Sequence, residues 1–270
     1  LYIGENVRAE EVRFEFADGH STPTLLDATP LYAPDGQISG AIAIIQDMTP
    51  LEEVDRLRSE FLGMVSHELK TPLTAIKGSA ATVLGSRQPF GSEETLDLFK
   101  IIDEQSDRLW ELIDNILDMT RIEAGALSVT PEPLHLEEVL EDAKATFASG
   151  GAPQEVQLSY SDALPLVNVD RRRAGQVVAN LLSNASKFSP PTTPITVSAV
   201  ETDSYVTVHV RDQGQGISTD RLPQLFKKFS QVHEDQGQKL AGSGLGLAIS
   251  KGIVETHRGN IWAESSGESR

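Results

Sequence analysis

The sequence predicts a multidomain chain: a short N-terminal β-rich segment, then an α-helical hairpin that forms a dimeric four-helix bundle, then an α/β sandwich. Three observations predict this. Leu98, Ile102, Gln105, Leu109, Leu112, Ile116 and Met119 recur at alternating spacings of four and three, a heptad seam. Strand-like and helix-like stretches alternate from residue 126 to 270. Before residue 50 the pattern is that of strands between turns. The 270 residues can bury a substantial core, and fractions of 39% apolar and 23% charged belong to a globular chain.

Composition removes several function classes. No apolar run approaches the ~18 residues of a membrane-spanning helix, so no membrane segment is expected in this chain. The chain opens on Leu1 with no basic-then-apolar leader and reads as a fragment. The absence of cysteine excludes a disulfide scaffold, a thiolate metal site and a cysteine nucleophile, and agrees with a cytoplasmic location. A net charge of −17 opposes nucleic acid or an anionic membrane as partner. The run Arg171-Arg172-Arg173 is expected to be the solvated first turn of a helix.

Residues 1–49 carry the period-two stretch Val12 to Phe16, turn signals at Asp18-Gly19 and Ala33 to Gly36, and an apolar strand from Gly40 to Gln46. This strand ends at Asp47-Met48-Thr49 and resembles the close of a PAS sensor domain, of which 1–49 is the C-terminal part. Residues 50–125 follow as the hairpin. Val54, Leu57, Phe61 and Met64 form one stripe, and Leu62, Val65, Leu69, Ile76 and Val83 a shifted second one. The breakers of Ser86 to Ser92 separate the two helices. A narrow hairpin cannot bury so long a seam alone, so two copies are expected to pack together through 50–125. Residues 126–270 supply strands at Val156–Tyr160, Ile195–Glu201, Tyr205–Asp212 and Ile261–Ala263. Helices are expected at Leu136–Phe147, Arg171–Phe188 and Leu245–His257.

Four stretches carry chemistry. In Ser66 to Leu73, His67 lies about 180° around the helix from the stripe of Leu62, Val65 and Leu69, and so faces water. A zinc-protease pattern needs a second His where Thr71 stands. Pro72, inside the helical pattern, is expected to bend the helix. In the second stretch, Asn180, Asn184 and Lys187 share one helix face, giving amide oxygens for a hard cation and an ammonium for phosphate. In the third, Asp212-Gln-Gly214-Gln-Gly216 ends a strand. In the fourth, Gly242-Ser-Gly244-Leu-Gly246-Leu247 opens a helix whose N–H groups favour an anion. Phe226 and Phe229 lie between these two Gly-rich stretches, in a connection long enough to be a functional lid.

In this order and spacing the stretches resemble the H, N, G1, F and G2 boxes of two-component sensor histidine kinases, over residues 50 to about 265. The resemblance implies autophosphorylation of His67 from ATP and relay to an aspartate of a response regulator receiver, with phosphatase activity toward it. It implies Glu68 as general base and Thr71 as the residue that helps remove phosphate. It implies Asn184 as Mg²⁺ ligand beside Asn180, Lys187 on phosphate, and Asp212 accepting the adenine amino group. Gly214 and Gly216 then line the base pocket, with Phe226 and Phe229 beside the nucleotide, and Gly242, Gly244, Gly246 and Leu247 cradle the phosphates. Residues 126–270 become the ATP-binding domain, of the kind shared with DNA gyrase and mismatch-repair ATPases. The chain becomes a cytoplasmic piece of a longer, membrane-anchored sensor. Phe188 departs from the family's frequent Tyr, and the further strand that the family usually has after Ile261–Ala263 is expected to be missing. A dimerising scaffold with a dead pocket, or a mechanical ATPase, are the rival readings. The intact Asn and Gly positions oppose the first, and the H box opposes the second.

Overall fold

A computed structural model describes residues 6–19, 21–85, 93–160, 164–202, 204–228 and 244–267. The chain forms two compact units, Leu1–His67 and Glu68–Arg270. In the first, β1 (Val7–Glu15), β2 (Ser21–Tyr32) and β3 (Ile38–Asp47) make an antiparallel sheet in that order. The expected turns close it: Gly19 N–H donates to the Phe16 carbonyl and Gly36 N–H to that of Ala33. The central strand β2 is poorly legible in the sequence because Pro23 and Pro30 argue against a strand. Both lie near its ends.

Strand β3 leads directly into α1 (Thr49–Gly85). The Asp47 carboxylate accepts the Thr49 N–H at 2.8 Å, and the Met48 carbonyl accepts the N–H groups of Leu51 and Glu52. An acidic side chain at this end also complements the helix dipole. Helix α1 continues through Pro72, which is buried. The breakers at 86–92 lie outside the described residues. Burial on α2 (Glu93–Glu123) follows the heptad, with Leu98, Ile102, Gln105 and Leu109 half-buried and Leu112 and Met119 buried.

The rest of the second unit is an α/β sandwich. Strand β5 (Val156–Tyr160) pairs parallel with β7 (Ile195–Thr202), which pairs antiparallel with β8 (Tyr205–Arg211). Helices α3 (Leu136–Ser149) and α4 (Arg171–Phe188) pack over this sheet around Val139, Leu140, Leu182, Ile195 and Val197. Each such side chain contributes about 1.5–3 kcal/mol by leaving water. The short strands β4 (Glu132–Leu134) and β6 (Val167–Val169) pair with each other; three residues give no readable alternation. Helix α5 (Gly246–Thr256) builds a second core of Leu127, Leu245, Ile249 and Ile253 with Met119 from α2.

Two expectations are corrected here. Arg173 is not solvated: it is buried in an ion pair with buried Asp118 of α2, and Gln176 donates to the same carboxylate at 2.9 Å. Residues 261–263 form no strand, since no ladder of the described residues includes them; Trp262 instead meets the His209 ring edge-on at 6.4 Å.

One residue ties the start of α4 to its surroundings. Asp170 accepts the Arg173 N–H through Oδ1 and the Thr130 N–H through Oδ2, both at 3.0 Å. Its own N–H donates to His257 Nε2 at 3.0 Å, so His257 carries its proton on Nδ1 and donates it to the Ile253 carbonyl at 2.8 Å. Burial pushes the Asp170 carboxyl up, but the N–H groups of Thr130 and Arg173 outweigh it and hold the carboxyl below the usual range.

Candidate active site

Helix α4 presents two unlike faces. Val178, Leu182 and Ala185 are buried in the sheet core, while Asn180, Asn184 and Lys187 on the other side are half-buried. Polar groups at such a depth need partners. Asn180 Nδ2–H lies 3.3 Å from the Gly246 carbonyl and 3.4 Å from Ser250 Oγ, and it donates toward both. This bond joins the polar face of α4 to the first turn of α5, where Gly246 and half-buried Leu247 lie just after Gly244. An anion at the start of α5 would meet the first N–H groups of the helix, which have no acceptor within the helix itself.

Lys187 lies near the other end of that face, its Nζ 4.9 Å from the centre of the Phe188 ring. Burial pushes its ammonium below the usual lysine range; the Glu68 carboxylate pulls it back up and Arg108 pushes it down again. A half-buried cation of this kind gains from an added anionic group.

The turn after β8 closes against the end of α4. Asp212 Oδ1 accepts the Gly214 N–H at 2.7 Å and lies 3.5 Å from Ser189 Oγ, which leaves Oδ2 as the outer oxygen of an exposed carboxylate. A Cβ on Gly214 would lie 2.5 Å from the Phe188 carbonyl oxygen, so only glycine fits there. Gly216 has φ +77°, and a Cβ on it would lie 2.1 Å from the Gly267 carbonyl oxygen. Phe226 is half-buried just after a 3₁₀ turn at Leu222–Gln224. Phe229 and Gly242 lie outside the described residues. On α1, His67 and Thr71 are exposed and Glu68 is half-buried.

Asn180, Asn184, Lys187, Asp212, Gly214, Gly244 and Gly246 thus converge on one helix, α4, and the turns beside it. Sequence reasoning missed Ser189, Ser265 and the carbonyls of Phe188 and Gly267. Backbone oxygens leave no mark in a sequence, and a serine in a polar tail looks like any other. The helical-wheel reading of α4 and the close backbone approach allowed by glycine were the signals that pointed to these positions.

Residues 57–125 match the family described as His Kinase A (phospho-acceptor) domain, and residues 169–270 match the Histidine kinase-, DNA gyrase B-, and HSP90-like ATPase family. The chain is 35% identical over 240 residues to the sensor protein KdpD of Clostridium acetobutylicum, covering 85% of this chain and 27% of that one. It is 34% identical to the alginate biosynthesis sensor protein KinB of Pseudomonas aeruginosa, covering 87% of this chain and 39% of that one. It therefore spans less than half the length of either relative. Among solved structures, the Acinetobacter baumannii histidine kinase AdeS matches with a TM-score of 0.58 and 26% identity, over 75% of this chain and 92% of that one. Full-length ShkA in complex with AMPPNP matches with a TM-score of 0.54 and 25% identity, over 76% of this chain and 44% of that one. With a phosphoacceptor region followed by an ATPase region, the chain belongs to the two-component sensor histidine kinase family.

Proposed function

We propose that this chain transfers the γ-phosphoryl group of ATP to His67, passes it to an aspartate of a receiver domain, and also removes it from that receiver. The reading rests chiefly on α4: its half-buried Asn180, Asn184 and Lys187 adjoin the glycine turns after β8 and before α5. The AMPPNP bound by ShkA, a similar protein, supports ATP as the nucleotide. Residues 50–125 act as the dimerising hairpin and 126–270 as the nucleotide domain. Residues 1–49, whose described strands β1, β2 and β3 form an antiparallel sheet, act as the close of a PAS-like sensor. The setting is the cytoplasmic part of a longer sensor.

Each residue has a defined task. Asp212 Oδ2 accepts the adenine amino group, while Oδ1 stays committed to the turn. The N–H groups at the start of α5 and the Lys187 ammonium meet the phosphates, which relieves the cost of burying that ammonium. The donor set suits Mg²⁺, a hard cation that takes amide oxygens: Asn184 would supply one, with Asn180 beside it. Bound there, Mg²⁺ would neutralise phosphate charge during transfer. His67, exposed on α1, supplies the nucleophilic nitrogen, and Glu68 holds the proton of the other ring nitrogen and stabilises the imidazolium. Thr71, one turn on, orients a water against the receiver's acyl phosphate.

ATP-dependent labelling tests the reading. His67→Gln should abolish acid-labile phosphate incorporation and leave ATP affinity within about twofold; labelling at another residue would refute it. Asn184→Ala should remove the Mg²⁺ dependence of nucleotide binding. Thr71→Ala should slow receiver dephosphorylation about tenfold, ~1.4 kcal/mol of barrier, and alter autophosphorylation far less. Equal loss of both activities would make Thr71 a support of the helix.

A further inference from the structure

The turn from Asp212 to Ile217 is held at both ends. At its start, Asp212 Oδ1 and the Phe188 carbonyl confine Gly214. At its end it is held by the segment that follows α5, which belongs to no helix or strand. The Ser265 hydroxyl oxygen accepts the Ile217 N–H at 2.9 Å and the Gly267 N–H at 3.3 Å, using both lone pairs. Gly267, at φ +99°, turns its carbonyl onto Gly216, where the missing side chain leaves room. Upstream, Trp262 sets the segment against His209 of β8 and donates to Glu264 at 3.0 Å.

We propose that Ser265 is a positioning residue for the base pocket: by clamping the Ile217 N–H, it sets the angle at which the Asp212 turn meets adenine. The proposal rests on the reading of Asp212 as the adenine acceptor. The phosphate-binding groups lie on α4 and at the start of α5, neither of which Ser265 touches in any contact described above. Loss of the clamp should therefore weaken recognition of the base and spare the phosphates. Without Ser265 the Ile217 N–H loses its acceptor, and the turn can relax.

The test is Ser265→Ala beside Ser265→Thr in the full chain. The alanine protein should raise the KM for ATP three- to tenfold, keep kcat within twofold, and lower the preference for ATP over GTP. Affinity for inorganic tripolyphosphate should stay unchanged, and threonine, which keeps the hydroxyl, should restore ATP binding. An unchanged KM, or equal weakening of ATP and tripolyphosphate, would overturn the proposal. Ser265→Cys keeps the size but is a poor acceptor, so it gives the same readings if the alanine protein does not fold. Amide exchange at Ile217 separates the clamp from the reading it rests on. Exchange should accelerate in Ser265→Ala even if Asp212→Asn leaves adenine preference intact, a result that would sink only the Asp212 assignment. Unaltered exchange would sink the clamp.

Discussion

The two halves of helix α2 carry one heptad and meet different fates. Upstream, Leu98, Ile102, Gln105 and Leu109 stay half-buried within a single chain. Downstream, Met119 is buried against Ile249 and Ile253 of α5, with Ile116 and Ile122 packed beside it. There the chain supplies its own partner, and Asp118 adds a buried ion pair with Arg173 of α4. The lesson is that one periodic pattern can serve two interfaces. Periodicity states that a face will be covered, but not by what. Under the proposed dimer, the upstream seam is the part left for a second copy.

The largest effect should come from Asp118→Ala, which leaves the Arg173 guanidinium buried without its carboxylate. Such a loss costs about 3–5 kcal/mol, measurable by denaturant unfolding of the second unit. Asp118→Leu combined with Arg173→Met should recover most of it, since well-packed apolar groups replace a buried pair at little cost. If the single and double variants are equally unstable, the pair is not what holds this end of α2.

Acid should probe the same contact. Burial pushes the Asp118 carboxyl up, but hydrogen bonds from Arg173 and Gln176 and the charges of Arg173 and Arg172 hold it below its ordinary value of 3.8. Its contribution is therefore complete above that value and fades as pH falls through the lower folded one. Asp118→Asn should lose stability less steeply than the parent below about pH 4.

A smaller effect is expected at Gly252, where an added Cβ would lie 2.6 Å from Ile122 Cδ1 and 2.7 Å from its Cγ2. Alanine raises helix propensity by about 1 kcal/mol, yet overpacking costs about 1–3 kcal/mol. Gly252→Ala should thus be neutral to ~2 kcal/mol destabilising, and Ile122→Ala in the same chain should relieve it. Upstream, Leu109→Ala should instead weaken self-association about tenfold, ~1.4 kcal/mol, seen by sedimentation as a change that depends on protein concentration. A concentration-independent loss there would make the two halves of the seam alike. The smallest effect belongs to Arg171. Its guanidinium pairs with Glu138 at 2.7 Å and Asp142 at 2.8 Å, both exposed, and Arg171→Ala should leave the unfolding midpoint within experimental error.

The sequence by itself determined the main helices and the strands β5, β7 and β8, the polar face of α4, the glycines of the turns and the exposure of His67. Each depends on residues close together in the chain, where helical or strand periodicity and turn chemistry act directly. Arg171 and Arg173 show the limit. Two positions apart on one helix, they look alike in sequence, yet one is half in water and the other lies buried against Asp118, 55 residues away in sequence. The prolines of β2, and the stretch 261–263 that joins no ladder among the described residues, mark the same limit for strands. A ladder needs a partner, and nearby residues do not say whether one arrives. The clamp of Ser265 on Ile217 spans 48 positions, and Asn180 reaches Gly246 across 66. Only the tertiary structure decided these contacts, because burial and backbone hydrogen bonding between distant segments depend on where the whole chain packs.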